Sequence, residues 1–191
     1  MANFKESLDI VFKLEYSSPK NALHTNPGED GYTFCGVYEK ANPNWAAWPK
    51  IKEVIKEIQG DGELTKNVIQ QASEKLYRNS EIMLLVEYVY ESKYWNPFRL
   101  SELNQTAADE IFVFGVNVGM RTAIRKAQKV VGTTQDGIIG PITIAAINAF
   151  PEEDFDMLFD EEEIKYYDKL IERNPSFAVF RNGWHNRARA V

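Results

Sequence analysis

A chain of 191 residues is long enough to bury a sizeable core and short enough for one domain, or one domain with a small lobe. With 44% hydrophobic and 26% charged residues it reads as a folding sequence, neither disordered nor collagen-like nor coiled-coil. A formal net charge of -6 argues against nucleic acid as a partner, because phosphate binding draws on clustered Lys and Arg.

The spacing predicts a helix over residues 4 to 16. Phe4, Leu8, Val11, Phe12 and Glu15 share one face at the i, i+4, i+7, i+8, i+11 positions, which places an acid at the end of a buried stripe. Burial favours the protonated form of a carboxyl, the form a general acid needs; the competing reading is a last turn with Glu15 facing water. From Asn21 to Pro49 the pattern breaks up around Pro27, Gly28, Gly31, Gly36, Pro43 and Pro49, a loop of the kind that carries function on a helical scaffold. Within it, Gly31-Tyr32-Thr33-Phe34-Cys35-Gly36 suits a short strand or hairpin.

Helical periodicity resumes at Ile51, Val54, Ile55 and Ile58 and stops at Gly60-Asp61-Gly62. A long helix is expected from about 65 to 91, with Asn79-Ser80 as its point of interruption, followed by a loop at Trp95-Asn96-Pro97-Phe98. Residues 107 to 131 read as one buried helix in which Gly115 and Gly119 permit close contact. Asp136-Gly137 is a turn, Gly140-Pro141 opens a helix through Phe150, and helices over about 153 to 173 and 176 to 190 flank Asn174-Pro175. The acids Glu152, Glu153, Asp154, Asp156, Asp160, Glu161, Glu162 and Glu163 read as a solvated helix face. The fold class is mainly α with a small β or irregular element near the N-terminus.

Cys35 is the single cysteine, so no intramolecular disulfide forms; with no evident His-based partner it reads as a small buried hydrophobe rather than a nucleophile. His24 and His185 are far apart and show no zinc-ligand spacing, so neither metal nor cofactor is expected. The N-terminus lacks a basic segment leading into an apolar one, and no run approaches the roughly 18 apolar residues of a membrane span. Cytoplasmic synthesis without a signal peptide and no stable membrane insertion are therefore expected.

A helix ending in Glu, a polar loop and a Gly-Tyr-Thr-x-x-Gly strand resemble the front of a lysozyme-like site. Leu14-Glu15-Tyr16, Asn26-Pro27-Gly28 and Thr33-Phe34-Cys35-Gly36-Val37 more specifically resemble the N-acetylmuramidases of glycoside hydrolase family 108, once described as secretion-activating proteins. The second half extends the resemblance. Asp109 to Gly119 with its Asn-x-Gly, Ala127-Gln128, Asp136-Gly137-Ile138-Ile139-Gly140-Pro141-Ile142-Thr143 and Phe180 to Arg187 look like the family's peptidoglycan-binding-type segment. There are departures: the family's two glycines after the glutamate are Tyr16-Ser17 here, the Asp of its Asp-Pro-Gly is Asn26, and Glu29-Asp30 lengthen the loop.

The resemblance implies a single lysozyme-like domain over 1–191, with a catalytic part (1–100) bearing Glu15 and a helical peptidoglycan-binding part (101–191) packed against it. It implies a monomeric phage or prophage endolysin-like enzyme that reaches the wall by holin-dependent release. Its substrate would be the glycan strands of peptidoglycan, cut at the β-1,4 bond between N-acetylmuramic acid and N-acetylglucosamine with Glu15 as general acid. A second carboxylate belongs about 6.5 to 9.5 Å away in an inverting enzyme and about 5 to 5.5 Å away in a retaining one. Asp30 and Glu29 are nearest in sequence, and Thr33 is the other candidate, holding water through its hydroxyl. Tyr32, Trp45, Trp48, Trp95 and Asn117 are candidates for the groove, since flat rings pack on pyranose faces and a buried amide must be hydrogen-bonded. Two other readings stay open: a glycan-binding protein that has lost catalysis, and a lytic transglycosylase acting on the same bond.

Overall fold

The structure is a computed structural model that describes every residue except Ser17 and residues 27 to 29, so Pro27-Gly28 and the candidate Glu29 lie outside the described residues. As expected, the chain is mainly α, with a three-stranded antiparallel sheet near its N-terminus. It divides into two compact units, one formed by Phe12–Tyr90 and the other by Met1–Val11 with Glu91–Val191.

Helix α1 (Phe4–Glu15) runs through the sequence boundary at Val11. In the first unit, strands β1 (Leu23–His24), β2 (Thr33–Phe34) and β3 (Val37–Tyr38) pair in the order β1-β2-β3. Helices α2 (Trp48–Gln59), α3 (Lys66–Tyr77) and α4 (Ser80–Tyr90) supply the rest of this unit's core. The break falls just before Ser80, close to where the sequence suggested it, because Asn79 accepts hydrogen bonds from the Glu81 and Ile82 amides and caps a new helix. Ser73, wholly buried on α3, ties the sheet to the helices: its hydroxyl donates to the Pro19 carbonyl and accepts from the Leu23 amide at 2.9 Å.

In the second unit, Glu91–Trp95 is a wide π-helical turn, and Asn96–Phe98, within the Trp95 to Phe98 stretch that the sequence suggested as loop, is a 3-10 turn. Proline sits at the start of that short turn, where its missing N–H costs nothing. The single helix expected over 107 to 131 is two, α5 (Gln105–Val118) and α6 (Met120–Val130). The break is at Gly119, whose φ of 95° no helical residue can hold. Its partner Gly115 lies against Met120, where an added Cβ would strike the thioether. Helices α7 (Pro141–Ala149), α8 (Glu152–Arg173) and α9 (Arg181–Ala188) follow, with a 3-10 stretch Pro175–Phe180 before α9.

The residues of α5 have their reason in packing. Phe114 meets Phe159, Tyr166 and Tyr167 of α8 edge to face, with centroids 5.5 to 5.9 Å apart. Gln128 explains the Asp-Gly-x-x-Gly-Pro-x-Thr motif. Buried on α6, its amide nitrogen donates to Asp136, to the Ile138 carbonyl and to Thr143, and its oxygen accepts from the Gly137 amide at 2.9 Å. One side chain thus saturates a whole connection.

The acidic run is only partly solvated, which corrects the sequence reading. Glu162 and Glu163 are buried and Asp156 and Asp160 half-buried, because a 22-residue helix lying against two others turns part of every face inward. Glu162 is satisfied by Lys126 at 3.1 Å and Lys129 at 2.7 Å; burial raises its carboxyl, but these partners outweigh burial and hold it down to about 2. Glu163 goes the other way. Burial and the charge of Asp160 push it up to about 9 despite Arg187, and burial with Asp156 raises Asp160 to about 6 despite Arg189.

Gln128→Ala takes a partner from the buried Gly137 amide and Thr143 hydroxyl and is expected to cost about 1–3 kcal/mol, read as a lowered urea midpoint with an unchanged slope. The raised acids set a pH dependence. Unfolded, Asp160 and Glu163 titrate near 4, so their contribution is complete below about pH 4 and is lost as pH rises through their folded values near 6 and 9. Glu162 has the opposite sign but acts only in acid, below its unfolded value. The melting temperature should therefore fall between pH 5 and 9, and Glu163→Gln should flatten the upper part of that fall.

Candidate active site

The first unit gathers the candidate chemistry around the β2–β3 turn. Phe34 pairs with Val37, so Cys35-Gly36 is a two-residue turn, with φ of 46° and 73° at its two positions. Positive φ at both is the hairpin turn whose twist matches its strands, and Gly36 is suited to it. Cys35 is fully buried, and burial pushes its thiol far up, so it stays a protonated hydrophobe as the sequence suggested.

Two tyrosines close on this turn. Tyr90, at the end of α4, donates its hydroxyl to the Cys35 carbonyl at 3.1 Å. Tyr16, directly after α1, has its hydroxyl beside the same glycine: a Cβ on Gly36 would lie 2.5 Å from the Tyr90 hydroxyl and 3.6 Å from that of Tyr16. The ring of Phe12 holds both, with centroids 5.9 Å from each. Burial pushes the Tyr16 phenol far above its usual range, and the nearby Tyr90, Cys35 and Glu15 push it further.

Glu15 is the last residue of α1 and is exposed, which corrects the expectation of a buried acid. The apolar face of α1 passes from Leu8 and Val11 through Phe12 to Tyr16, four residues on, and leaves Glu15 to one side. Its carboxylate nevertheless lies close enough to the Tyr16 hydroxyl to bear on it.

The remaining candidates separate. Thr33 is buried in β2, paired with His24 and Tyr38. Tyr32 is half-buried, and its amide donates to Glu39 at 3.1 Å. Burial raises the Glu39 carboxyl, but Lys52, 2.5 Å away, and the Tyr32 amide outweigh that and lower it. Asp30 has a 94% exposed side chain, 3.3 Å from Lys40, and is a solvated loop charge. Trp48 is 3% exposed, donates its indole N–H to the Asn42 carbonyl and takes the edge of half-buried Trp45 at 5.1 Å.

Trp95 and Asn117 belong to the other unit. Trp95 is 2% exposed and meets Phe4 and Phe112 edge to face. Neither Trp48 nor Trp95 has an open face for a sugar, so both leave the groove list; a tryptophan among apolar helices is core by default. Asn117 is exposed rather than buried and donates to the Tyr167 hydroxyl at 2.7 Å, while Trp184 stacks on the Tyr167 ring at 5.0 Å. Its place near the end of α5 takes it beyond the buried run of Ile111 to Gly115.

The family model described as Glycosyl hydrolase 108 matches residues 23–119. The chain belongs to glycoside hydrolase family 108. A second model, described as a predicted peptidoglycan domain, matches residues 122–189 of this family 108 chain. Its fold is similar to that in a solved structure titled "Structure of Brucella abortus SagA", with a TM-score of 0.61 and 20% identity over 98% of this chain and 91% of that one. No curated protein matches. The family match opens at β1, after Glu15, and takes in the hairpin with Thr33.

Sequence reasoning missed Tyr16, Tyr90 and Glu39. Tyr90 fell at the end of a predicted apolar helix, and Tyr16 was noticed only as a departure from two glycines. In this family 108 chain Gly36→Ala must either strike the Tyr90 hydroxyl or abandon a positive φ. It should cost more than about 1 kcal/mol in chemical denaturation, whereas Gly60→Ala, with open space around it, should cost only its backbone strain.

Proposed function

We propose that this glycoside hydrolase is an N-acetylmuramidase that cuts the β-1,4 bond between N-acetylmuramic acid and N-acetylglucosamine, with Glu15 as general acid. The observation that carries this reading is the position of Glu15 at the end of α1, directly before Tyr16, whose hydroxyl lies beside Gly36 in the turn of a family 108 hairpin. A glycan seated there would displace water from Glu15 and supply the apolar surroundings that a proton donor needs. Protonation of the glycosidic oxygen by Glu15 would release the leaving sugar. Water would then attack the anomeric carbon, positioned by Thr33 on β2, with Asp30 as the remaining carboxylate candidate within the described residues. Half-buried Tyr32 and Trp45 are the rings left to line the groove, and residues 122–189 would hold the strand by their peptidoglycan-binding character. Asn117 would hold an acetamido group or brace the segment through Tyr167. Monomeric action on the wall after holin-dependent release completes the proposal.

A non-catalytic binding module is the second reading. It is favoured by the exposure of Glu15 and by Tyr16 filling the space beside the turn.

Mass spectrometry of the soluble products from purified peptidoglycan distinguishes the readings. Wild type should release fragments with reducing N-acetylmuramic acid ends, and Glu15→Gln should lower their yield by about 100-fold or more. Anhydro ends would make the protein a lytic transglycosylase. Retained glycan with no products from either protein would make it a binding module.

A further inference from the structure

Where α5 meets α8 there is a group of acids that the proposed glycan chemistry does not use. Glu110, Asp156 and Asp160 each offer an oxygen within 4.8 Å of the others. Glu110 is 0% exposed, and neither of its oxygens receives a hydrogen bond from any N–H or hydroxyl among the described residues. The charges that bear on it come from other acids, Glu163, Asp160 and Asp156. Arg189 bears on Asp160 and Arg187 on Glu163, whereas the groups bearing on Glu110 among the described residues are acids. Asp156 also lines an open pocket of about 440 Å³ with Thr106, Asp109, Glu152 and Glu153, a route from solvent to the group.

A buried carboxylate facing other carboxylates is stable only with a proton or a cation between them. We propose that Glu110, Asp156 and Asp160 form a binding site for a hard divalent cation of the calcium class. Two oxygens bound at about 2.4 Å to one ion lie at most about 4.8 Å apart, and these three lie within that limit of one another. An all-carboxylate donor set with no His or Cys selects calcium, magnesium or manganese over zinc or copper. Water from the pocket completes the coordination shell. The bound ion cross-links the middle of α5 to the first half of α8 and replaces the proton that would otherwise join Glu110 to Asp156. A search of the sequence for paired His and Cys passes over this site, because its ligands stand on two helices and one of them lies inside an apolar run.

The test uses the full chain stripped with EDTA and titrated with calcium chloride and, separately, magnesium chloride at pH 7, read by calorimetry and by melting temperature. About one equivalent of calcium should bind and the melting temperature should rise by several degrees. Asp160→Asn and Glu110→Gln should each weaken binding at least about tenfold while folding normally in the absence of metal. Glu172→Gln, on the exposed end of α8, should leave binding unchanged. The proposal is overturned if neither ion binds or if binding survives both ligand substitutions. Because no step reads glycan cleavage, the outcome is independent of the muramidase reading.

Discussion

The Cys35 carbonyl lies inside the first unit, in a two-residue turn, and accepts a hydrogen bond from the Tyr90 hydroxyl. That bond requires α4 to end where it does and requires a glycine at 36, since the phenol occupies the space a side chain would fill. It also fixes where α1 can end, because Phe12 packs on Tyr90 and Tyr16 reaches the same glycine. The position of Glu15 follows from this chain of contacts. A carboxylate offered to a substrate has to be held at a defined place while staying reachable, and an exposed acid on the last residue of a helix, between half-buried Leu14 and Tyr16, meets both conditions.

The second unit treats its acids in a different way. Glu162 is buried but paired with Lys126 and Lys129, so its charge is retained. Glu110 and Glu163 are buried among other acids, so their charge is suppressed unless something positive joins them. Both arrangements occur on α8, within a few residues. The difference lies in whether α5 or α6 stands opposite, since α6 brings lysines and α5 brings another glutamate.

Much of the architecture was legible in the residues. The helices around Ile51, Ile144 and Phe159, the breaks at Gly60 and near Asn79, and the hairpin at Thr33 to Tyr38 follow from periodicity and turn chemistry. The motif from Asp136 to Thr143 was visible as a pattern, and its reason, the four bonds of Gln128, was not. Continuous apolar character hid the break at Gly119, because a buried helix reads the same on either side of one residue with positive φ. Aromatic residues misled in proportion to their size: Trp48 and Trp95 are large enough to suit a sugar and apolar enough to suit a core, and composition does not separate the two.

By itself the sequence determined the helical class, the small sheet, the absence of a disulfide within the chain and the family, because these depend on local preference, periodicity and short motifs carried along the chain. Only the tertiary structure decided which acids are buried and which are paired. Burial is a property of what lies opposite. Glu15 read as an acid on an apolar helical face and Glu110 drew no notice, and packing left the first in water and enclosed the second among carboxylates, because the stripe of α1 passes from Phe12 to Tyr16 while Glu110 faces the acids of α8.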